Sequence, residues 1–327
     1  MIQRNKRIKL IALTGILILC LFLSIFAGRY PELGFLSPAT LKEDTTARNI
    51  FYNLRIPRII LGLLLGMALG SSGLFFQTVF NNPLVDSGML GVTQGASFGA
   101  AIGIVFFHSN PWIVQLLAIG LGMAGLFLSV VSARKIHYGG WTLRLILAGS
   151  VISALFGAGL SLLKVLADSR NQLHAIEFWL MGSLGFTIWQ GPPLVIVITC
   201  VCLFILWKYR WRMNLLALDS EVASSLGVRI RMEQMLLMTA AVFAVSAATS
   251  LSGIIGWVGL IVPHLSRRLF GSDTQYSLPG SMLIGAILIL ACDNGARILS
   301  PSEIPLGIIT SFVGVIIFIL LMGGKKK

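Results

Sequence analysis

The chain has 327 residues, 56% of them hydrophobic and 11% charged, with a formal net charge of +13 and a mean hydropathy of +0.89. Soluble domains carry roughly 25% charged residues, so this chain cannot cover a water-facing surface. Soluble enzymes and nucleic-acid binders are largely excluded despite the basic balance, and a protein that crosses the bilayer several times is indicated.

A crossing helix needs about 20 apolar residues. The first such run covers residues 10–27, behind a short basic N-terminus, 1–9, that carries Arg4, Lys6, Arg7 and Lys9. A cleaved leader starts the same way, but Ile25 stands where a cut after Ala27 would want a small residue, so a retained helix is expected. Residues 28–55, with Glu32, Glu43 and Asp44, read as a polar excursion. Further spans are expected at 56–80, 89–107, 111–133, 142–166, 191–207, 235–251, 256–270, 279–297 and 305–322, ten in all. The eighth is short and contains Pro263. Between the fifth and sixth, residues 168–190 are too polar at their start and too broken by Gly182 and Gly185 to cross. Phe178, Trp179, Leu180 and Trp189 mark this stretch as a short helix at the outer interface.

With ten spans both termini share one side. On that side fall Arg4, Lys6, Arg7, Lys9, Arg134, Lys135, Arg144, Lys208, Arg210, Arg212, Arg229, Arg231, Arg267, Arg268, Lys325, Lys326 and Lys327, which is 17 of the 25 basic residues. The other 8 are Arg29, Lys42, Arg48, Arg55, Arg58, Lys164, Arg170 and Arg297. The positive-inside rule therefore predicts cytoplasmic termini. Cys20, Cys200, Cys202 and Cys292 all lie in apolar runs, where a free thiol behaves as a small hydrophobe; no metal site is expected from them.

Glycine accounts for 35 residues, and part of that excess is ordered: Gly62, Gly66 and Gly70 are spaced by four, as are Gly95, Gly99 and Gly103. Small residues at this spacing let helix backbones approach closely in lipid, which predicts a tight bundle. Residues 70–91 and 252–271 echo one another, each a Gly/Ser-rich helix end followed by a break. An offset of five spans between them implies inverted repeats, a common transporter plan.

Ionisable groups are almost absent from mid-depth of the spans. Lys164, Asp168, Asp293 and Arg297 lie at outer ends, Arg144 and Glu233 at inner ends, and His264 in the short eighth span. Ion-coupled carriers usually place acids or histidines mid-membrane, so a proton-coupled carrier is disfavoured. No G-x-x-x-x-G-K-[ST] phosphate loop is present, so ATP hydrolysis would have to come from another subunit. The inner loop 209–234 suits such a partner. Asp219 or Ser220 can cap a short helix, Glu221 favours its dipole and Gly227 can end it, leaving two short helices with leucines at the surface. A helix lying on lipid is the other reading.

These residues, in order, resemble a known family. Arg55, Pro57 and Arg58 are followed by Gly70 and Gly73, then by Gln77, Phe80, Asn82, Pro83, Leu84, Val85 and Asp86, and by Leu90, Gly91, Gly95 and Ala96. Phe178, Trp179, Met181 and Gly182, the loop 215–227, Gly253, Gly256, Trp257, Gly259, Pro263 and His264, Asp293 and Arg297, and Glu303, Pro305 and Gly307 complete the set. From about residue 50 to 322 the chain resembles the FecCD-type permeases of metal-chelate ABC importers. The resemblance implies an all-α polytopic protein with about ten transmembrane helices per subunit and the type II importer permease fold with inverted repeats, residues 1–327 forming a single transmembrane domain. It also implies a homodimer, two ATPase subunits that bind ATP and Mg, an extracytoplasmic substrate-binding protein, and a prokaryotic plasma-membrane location. No cofactor, metal or nucleic acid is expected on this chain.

The same resemblance implies that Arg55, Arg58 and Arg297 receive acidic residues of the binding protein, for which the bidentate guanidinium fork is suited. Anchoring of helix ends at the interface is the alternative role. Leu215, Leu216, Leu218, Asp219, Ser220, Glu221, Ala223, Leu226 and Gly227 match the coupling helices that sit on the ATPase. Asn82, Leu84 and Thr142 match an inner gate. Ser150, Ser153 and Gly157, with Ser161, give the fifth span a small, polar face suited to a weakly binding pathway. His264 is expected to be structural. The expected cargo is an iron–siderophore, with haem, cobalamin or an oxyanion such as molybdate as alternatives and a stand-alone secondary carrier as the remote one. Near the outer mouth, Lys164, Arg170 and His174 suit an anionic load or an interfacial role equally.

Overall fold

The computed structural model describes residues 2–28, 34–35, 41, 43–185, 193–218, 220–227, 229–299 and 303–323. In lipid every backbone N–H must find a partner within its own segment, and apart from one two-residue antiparallel pair, Ala27–Gly28 with Gly34–Phe35, the regular elements are helical. A helix stands at each of the ten expected spans, six of them, among the described residues, long and apolar enough to cross a membrane alone: α1 (Ile2–Phe26), α3 (Ile56–Val79), α4 (Val92–Phe106), α5 (Pro111–Lys135), α6 (Trp141–Leu166), α8 (Pro193–Lys208), α11 (Ile230–Ser252), α12 (Val258–Phe270), α13 (Thr274–Leu299) and α14 (Leu306–Gly323). Shorter helices are α2 (Thr45–Ile50), α7 (Gln172–Met181), α9 (Arg212–Leu216) and α10 (Ser220–Ser225). The outer-side helix and the pair in the inner loop fall where the sequence places them, while Asp219 and Trp189 lie outside the described residues.

Several boundaries differ from expectation: α11 and α13 each start five residues early, at Ile230 and Thr274, and two other differences are larger in consequence. The basic stretch before residue 10 is already helical, because nothing between Ile2 and Lys9 breaks a helix. The end of the polar excursion is helical too. Asp44 caps α2, its Oδ1 accepting from Thr46 N at 2.7 Å, and the chain then passes through one π turn, Phe51–Arg55, straight into α3. Pro57 has no N–H to donate, and the widened turn is closed instead by Ile56 N bonding back to Phe51 O. The extra residue in such a turn rotates the side chains before it, and Arg55 turns inward.

The glycine ladders are packing seams. A Cβ on Gly66 would overlap Gly285 O, and one on Gly285 would overlap Gly66 O, so α3 and α13 touch backbone to backbone. Ser281 Oγ donates to Gly70 O at 2.7 Å along the same seam. Gly95 and Gly99 meet the backbone of α5 in the same way, at Leu121 O and Leu117 O.

The packing repeats with an offset of five spans. α3 packs on α13 and α12, and its counterpart α11 packs on α5 and α4, while α3 and α11 also pack on each other. The counterparts α4 and α12 are both short, 15 and 13 residues, or about 22 and 20 Å of helix, too short to cross the hydrocarbon core alone. Each starts from a left-handed residue after an irregular turn: Gly91 at φ 78° and Trp257 at φ 69°. These are the broken helices of an inverted-repeat bundle.

Candidate docking and coupling surfaces

At the end of the bundle where α1, α3 and α13 converge lies a cluster of five charged side chains. Arg55, Arg58 and Arg297 are only 5%, 8% and 9% exposed, and Asp293 is 1% exposed. A buried guanidinium is tolerable only when paired, and α13 supplies the pairing. Asp293 Oδ1 accepts from Arg58 Nε at 2.8 Å and lies 2.7 Å from its Nη2, while Oδ2 lies 3.3 Å from Arg297 Nε one turn along the helix. Arg58 Nη1 donates to Glu303 Oε2 at 2.7 Å. Arg297 also donates to Asn294 Oδ1 and, at 3.1 Å, to Ser24 O; Arg55 donates to Ile25 O at 3.2 Å. Asn294 Nδ2 donates to Ser24 Oγ at 2.8 Å, so α1 is tied into the cluster. The three arginines are thus gathered into a buried network rather than standing as free side chains on the surface. Three cations against two carboxylates leave one positive charge in excess.

The opposite end carries the inner loop. Of its expected leucines, Leu218 and Leu226 are 45% and 58% exposed, and Val222 between them is 49% exposed, so 218, 222 and 226 form one apolar stripe. Leu216 and Ala223 face the core instead, and Leu215 is half-buried: in helices this short only one side can point away from the bundle. Gly227 ends α10 at φ 75°, the left-handed C-terminal position foreseen for it. The loop is clamped to the spans by side chains. Asn214 Nδ2 donates to Asp273 Oδ1 and its Oδ1 accepts from Thr274 N, both at 2.9 Å, and Arg212 pairs with the buried Glu233.

The turn after α3 is held between this loop and α12. Asn81, at φ 47°, donates from Nδ2 to Ala217 O at 3.2 Å. His264 Nε2 bonds Pro83 O at 3.0 Å, which ties α12 to the turn. Gln77 Nε2 donates to Leu260 O at 3.0 Å, and Gln77 Oε1 accepts from Arg267. Within the turn Asn82 Oδ1 accepts from Leu84 N at 3.0 Å, leaving Leu84 half exposed. Asp86 Oδ1 accepts from Gly88 N at 2.9 Å, and burial pushes its carboxyl above the ordinary carboxylate range. The single turn of 3-10 helix that follows, Ser87–Leu90, rests on α6, where Gly149 leaves room for Met89 O. Thr142 is half-buried at the start of α6.

Along α6, Leu147, Ser150, Val151, Ala154, Leu155, Ala158, Ser161, Leu162 and Val165 are all exposed. Ser150, Gly157 and Ser161 fall within about 40° around the helix, with Val151, Leu155 and Leu162 about 100–140° away. A small polar stripe therefore runs beside an apolar one, and neither is covered by the chain itself. Ser153 and Gly157 are half-buried at the edge of the polar stripe. At the outer end Lys164 Nζ lies 2.9 Å from Glu177, and His174 Nδ1 bonds Ser169 O at 3.1 Å.

This arrangement has close counterparts. Residues 16–323 match the FecCD transport family. The chain belongs to that family. It is 37% identical to the molybdate import system permease protein MolB of Haemophilus influenzae, over 97% of this chain and 96% of that protein. It is also 37% identical to the hemin transport system permease protein HmuU of Yersinia pestis, over 85% of this chain and 84% of that one. A solved metal-chelate-type ABC transporter in an inward-facing conformation superposes with a TM-score of 0.87 at 37% identity, covering 96% of this chain and 98% of the other.

As a FecCD-family permease, the protein is a multi-pass membrane subunit of an ABC importer. Sequence reasoning placed the three arginines, the loop 209–234 and the turn around Asn82 in three regions. It did not assign Asp293, Glu303, Ser24 and Asn294 to the arginine cluster, nor Asn81 and Val222 to the inner face. One signal was available: Asp293 stands four residues before Arg297, the spacing of a helical ion pair. Glu303 and Ser24 carried none, since nothing local brings them to Arg58 and Arg297.

Proposed function

We propose that this permease is the membrane path of an importer whose work is done by other subunits. Two cytoplasmic ATPase subunits, binding ATP and Mg, seat on the stripe formed by Leu218, Val222 and Leu226, and an extracytoplasmic binding protein seats on the cluster of Arg55, Arg58 and Arg297. The apolar stripe carries the reading: three large side chains are left exposed on a loop pinned by Asn81, Asn214 and Arg212 to spans α3, α13 and α11. Movement of that loop reaches the turn around Asn82 and Leu84, and through the 3-10 segment it reaches α6. Two copies of the chain bring their α6 faces to a shared axis. The membrane is the plasma membrane of a prokaryote, with both termini cytoplasmic.

The cargo is a metal chelate, first of all an iron–siderophore. Between Arg144 and Lys164 the α6 face has no ionisable group, so Ser150, Ser153, Gly157 and Ser161 offer a bulky chelate room without a strong grip. Molybdate is the second reading, favoured by the 37% identity to a molybdate permease over nearly the whole chain. The test is uptake into proteoliposomes holding the permease with its ATPase and binding protein, with labelled ferric siderophore and labelled molybdate offered separately. Nucleotide-dependent accumulation is expected. Accumulation by the permease alone, driven by a proton gradient, would overturn the proposal.

A further inference from the structure

At the end of the bundle that carries loop 209–227, an open groove of about 500 Å³ runs between α5 and α11, lined by Arg134, Arg231, Met232, Met235, Leu236 and Thr239. Its chemistry changes along its length. Arg134 in the last turn of α5 and Arg231 in the first turn of α11 form a charged rim, and both are exposed. Among the described residues neither arginine has a carboxylate within ion-pairing distance, and the nearest acid along α11, Glu233, is buried and taken by Arg212. Beyond the rim, Met232, Met235, Leu236 and Thr239 stand at spacings of three and four. They share one face of α11 that continues for two turns toward mid-membrane. Met232 and Leu236 stay exposed within it.

A headgroup-level pair of guanidiniums above an apolar trough fits one kind of molecule. We infer that this groove binds a phospholipid of net negative charge, its phosphate on Arg134 and Arg231 and an acyl chain along Met232, Met235 and Leu236. The guanidinium fork matches phosphate oxygens bidentately. Methionines and leucine supply an adaptable apolar wall. A zwitterionic lipid offers the same phosphate but brings a cation to the rim, so two unpaired arginines discriminate by net charge. Basic residues at the inner membrane surface each strengthen the hold on an anionic lipid, and two together amount to roughly a thirtyfold preference at low salt. Because α5 and α11 are counterpart-packed helices of the two repeats, a bound lipid bridges the repeats at the level of the coupling loop.

The experiment is native mass spectrometry of the full-length permease released from nanodiscs of equal phosphatidylglycerol and phosphatidylcholine. Retention of phosphatidylglycerol by about an order of magnitude over phosphatidylcholine is expected. In Arg134→Gln with Arg231→Gln that preference should vanish, and Leu236→Trp, which fills the trough, should lower retention of both lipids. Arg134→Lys with Arg231→Lys keeps the charge without the fork and should give an intermediate preference; it carries the test where the glutamine variant does not fold. The control, Arg4→Gln with Arg7→Gln, removes equal charge from the same end of α1 and should leave the preference intact. Three results would overturn the inference. One is equal loss in the control, which would mean diffuse surface attraction. Another is displacement by inorganic phosphate alone, which would mean an anion site. The third is unchanged lipid retention in the glutamine variant together with lost ATPase copurification, which would make the rim a protein contact.

Discussion

Arg58 Nη1 lies 2.7 Å from Glu303 Oε2, so this arginine already holds a carboxylate of its own chain. Asp293 occupies its other edge and is fully buried, whereas the Glu303 side chain is 47% exposed. Glu303 is the half-exposed member of its pair and Asp293 the buried one of the other, so a carboxylate on a docking protein can displace Glu303 but not Asp293. With Glu303→Gln, the binding protein should hold this permease about two- to fivefold more tightly at low ionic strength. Arg58→Gln should weaken it. Surface plasmon resonance on nanodisc-embedded permease measures both; weaker binding by Glu303→Gln would mean that Glu303 presents Arg58 instead of competing for it.

Gly66 and Gly285 admit no side chain at the α3–α13 seam. Gly66→Val should cost more than the 1–3 kcal/mol typical of overpacking, because the obstruction is backbone on both sides. Loss of folded protein by fluorescence-detected size exclusion is the expected outcome. Gly15, beside which a Cβ would meet no atom within 4 Å, should tolerate the same change.

The apolar stripe of the inner loop should be separable from the fold. Leu218→Ser with Val222→Ser and Leu226→Ser removes exposed side chains only, so thermal unfolding should shift little. Nucleotide-driven uptake should fall by an order of magnitude or more, as hot-spot residues at a protein interface do on truncation. Uptake at the original rate would remove the stripe from the coupling role.

Asp86 carries a carboxyl whose folded pKa lies above its unfolded value, through burial. Such a group favours folding below the unfolded pKa, and the benefit is lost as pH rises through the folded pKa. At pH values above the unfolded pKa the Asp86 carboxyl therefore weakens the fold. Asp86→Asn, which keeps the acceptor for Gly88 N, should raise the unfolding midpoint in detergent by about 1–3 °C at pH 7. The difference should shrink as pH falls toward the ordinary carboxylate range. A variant less stable at pH 7 would show that the charge itself holds the 80–91 turn.

Much of this molecule was legible in one dimension. The lengths of apolar runs located the helix at each of the ten expected spans, and the repeat of glycine every four residues located two backbone seams, since both depend on geometry within a single helix. No second ligand stands at helical spacing from His264, and its ring bonds Pro83 O. The polar excursion was drawn too long because Thr45–Ile50 is polar and yet helical, and polarity alone says nothing of the cap at Asp44.

Hydropathy and helical period are local properties, so they were enough to mark a multi-pass membrane protein with a small-residue packing code. Tertiary packing alone brings Arg58 to Asp293 across 235 positions and to Glu303 across 245, and leaves Leu218, Val222 and Leu226 exposed while Leu216 is buried. Such pairings arise when α13 docks on α3 and when the inner loop is clamped at Asn214 and Asn81. In a medium without water to solvate them, buried charges settle wherever packing brings opposite signs together, and that destination is written in no single segment.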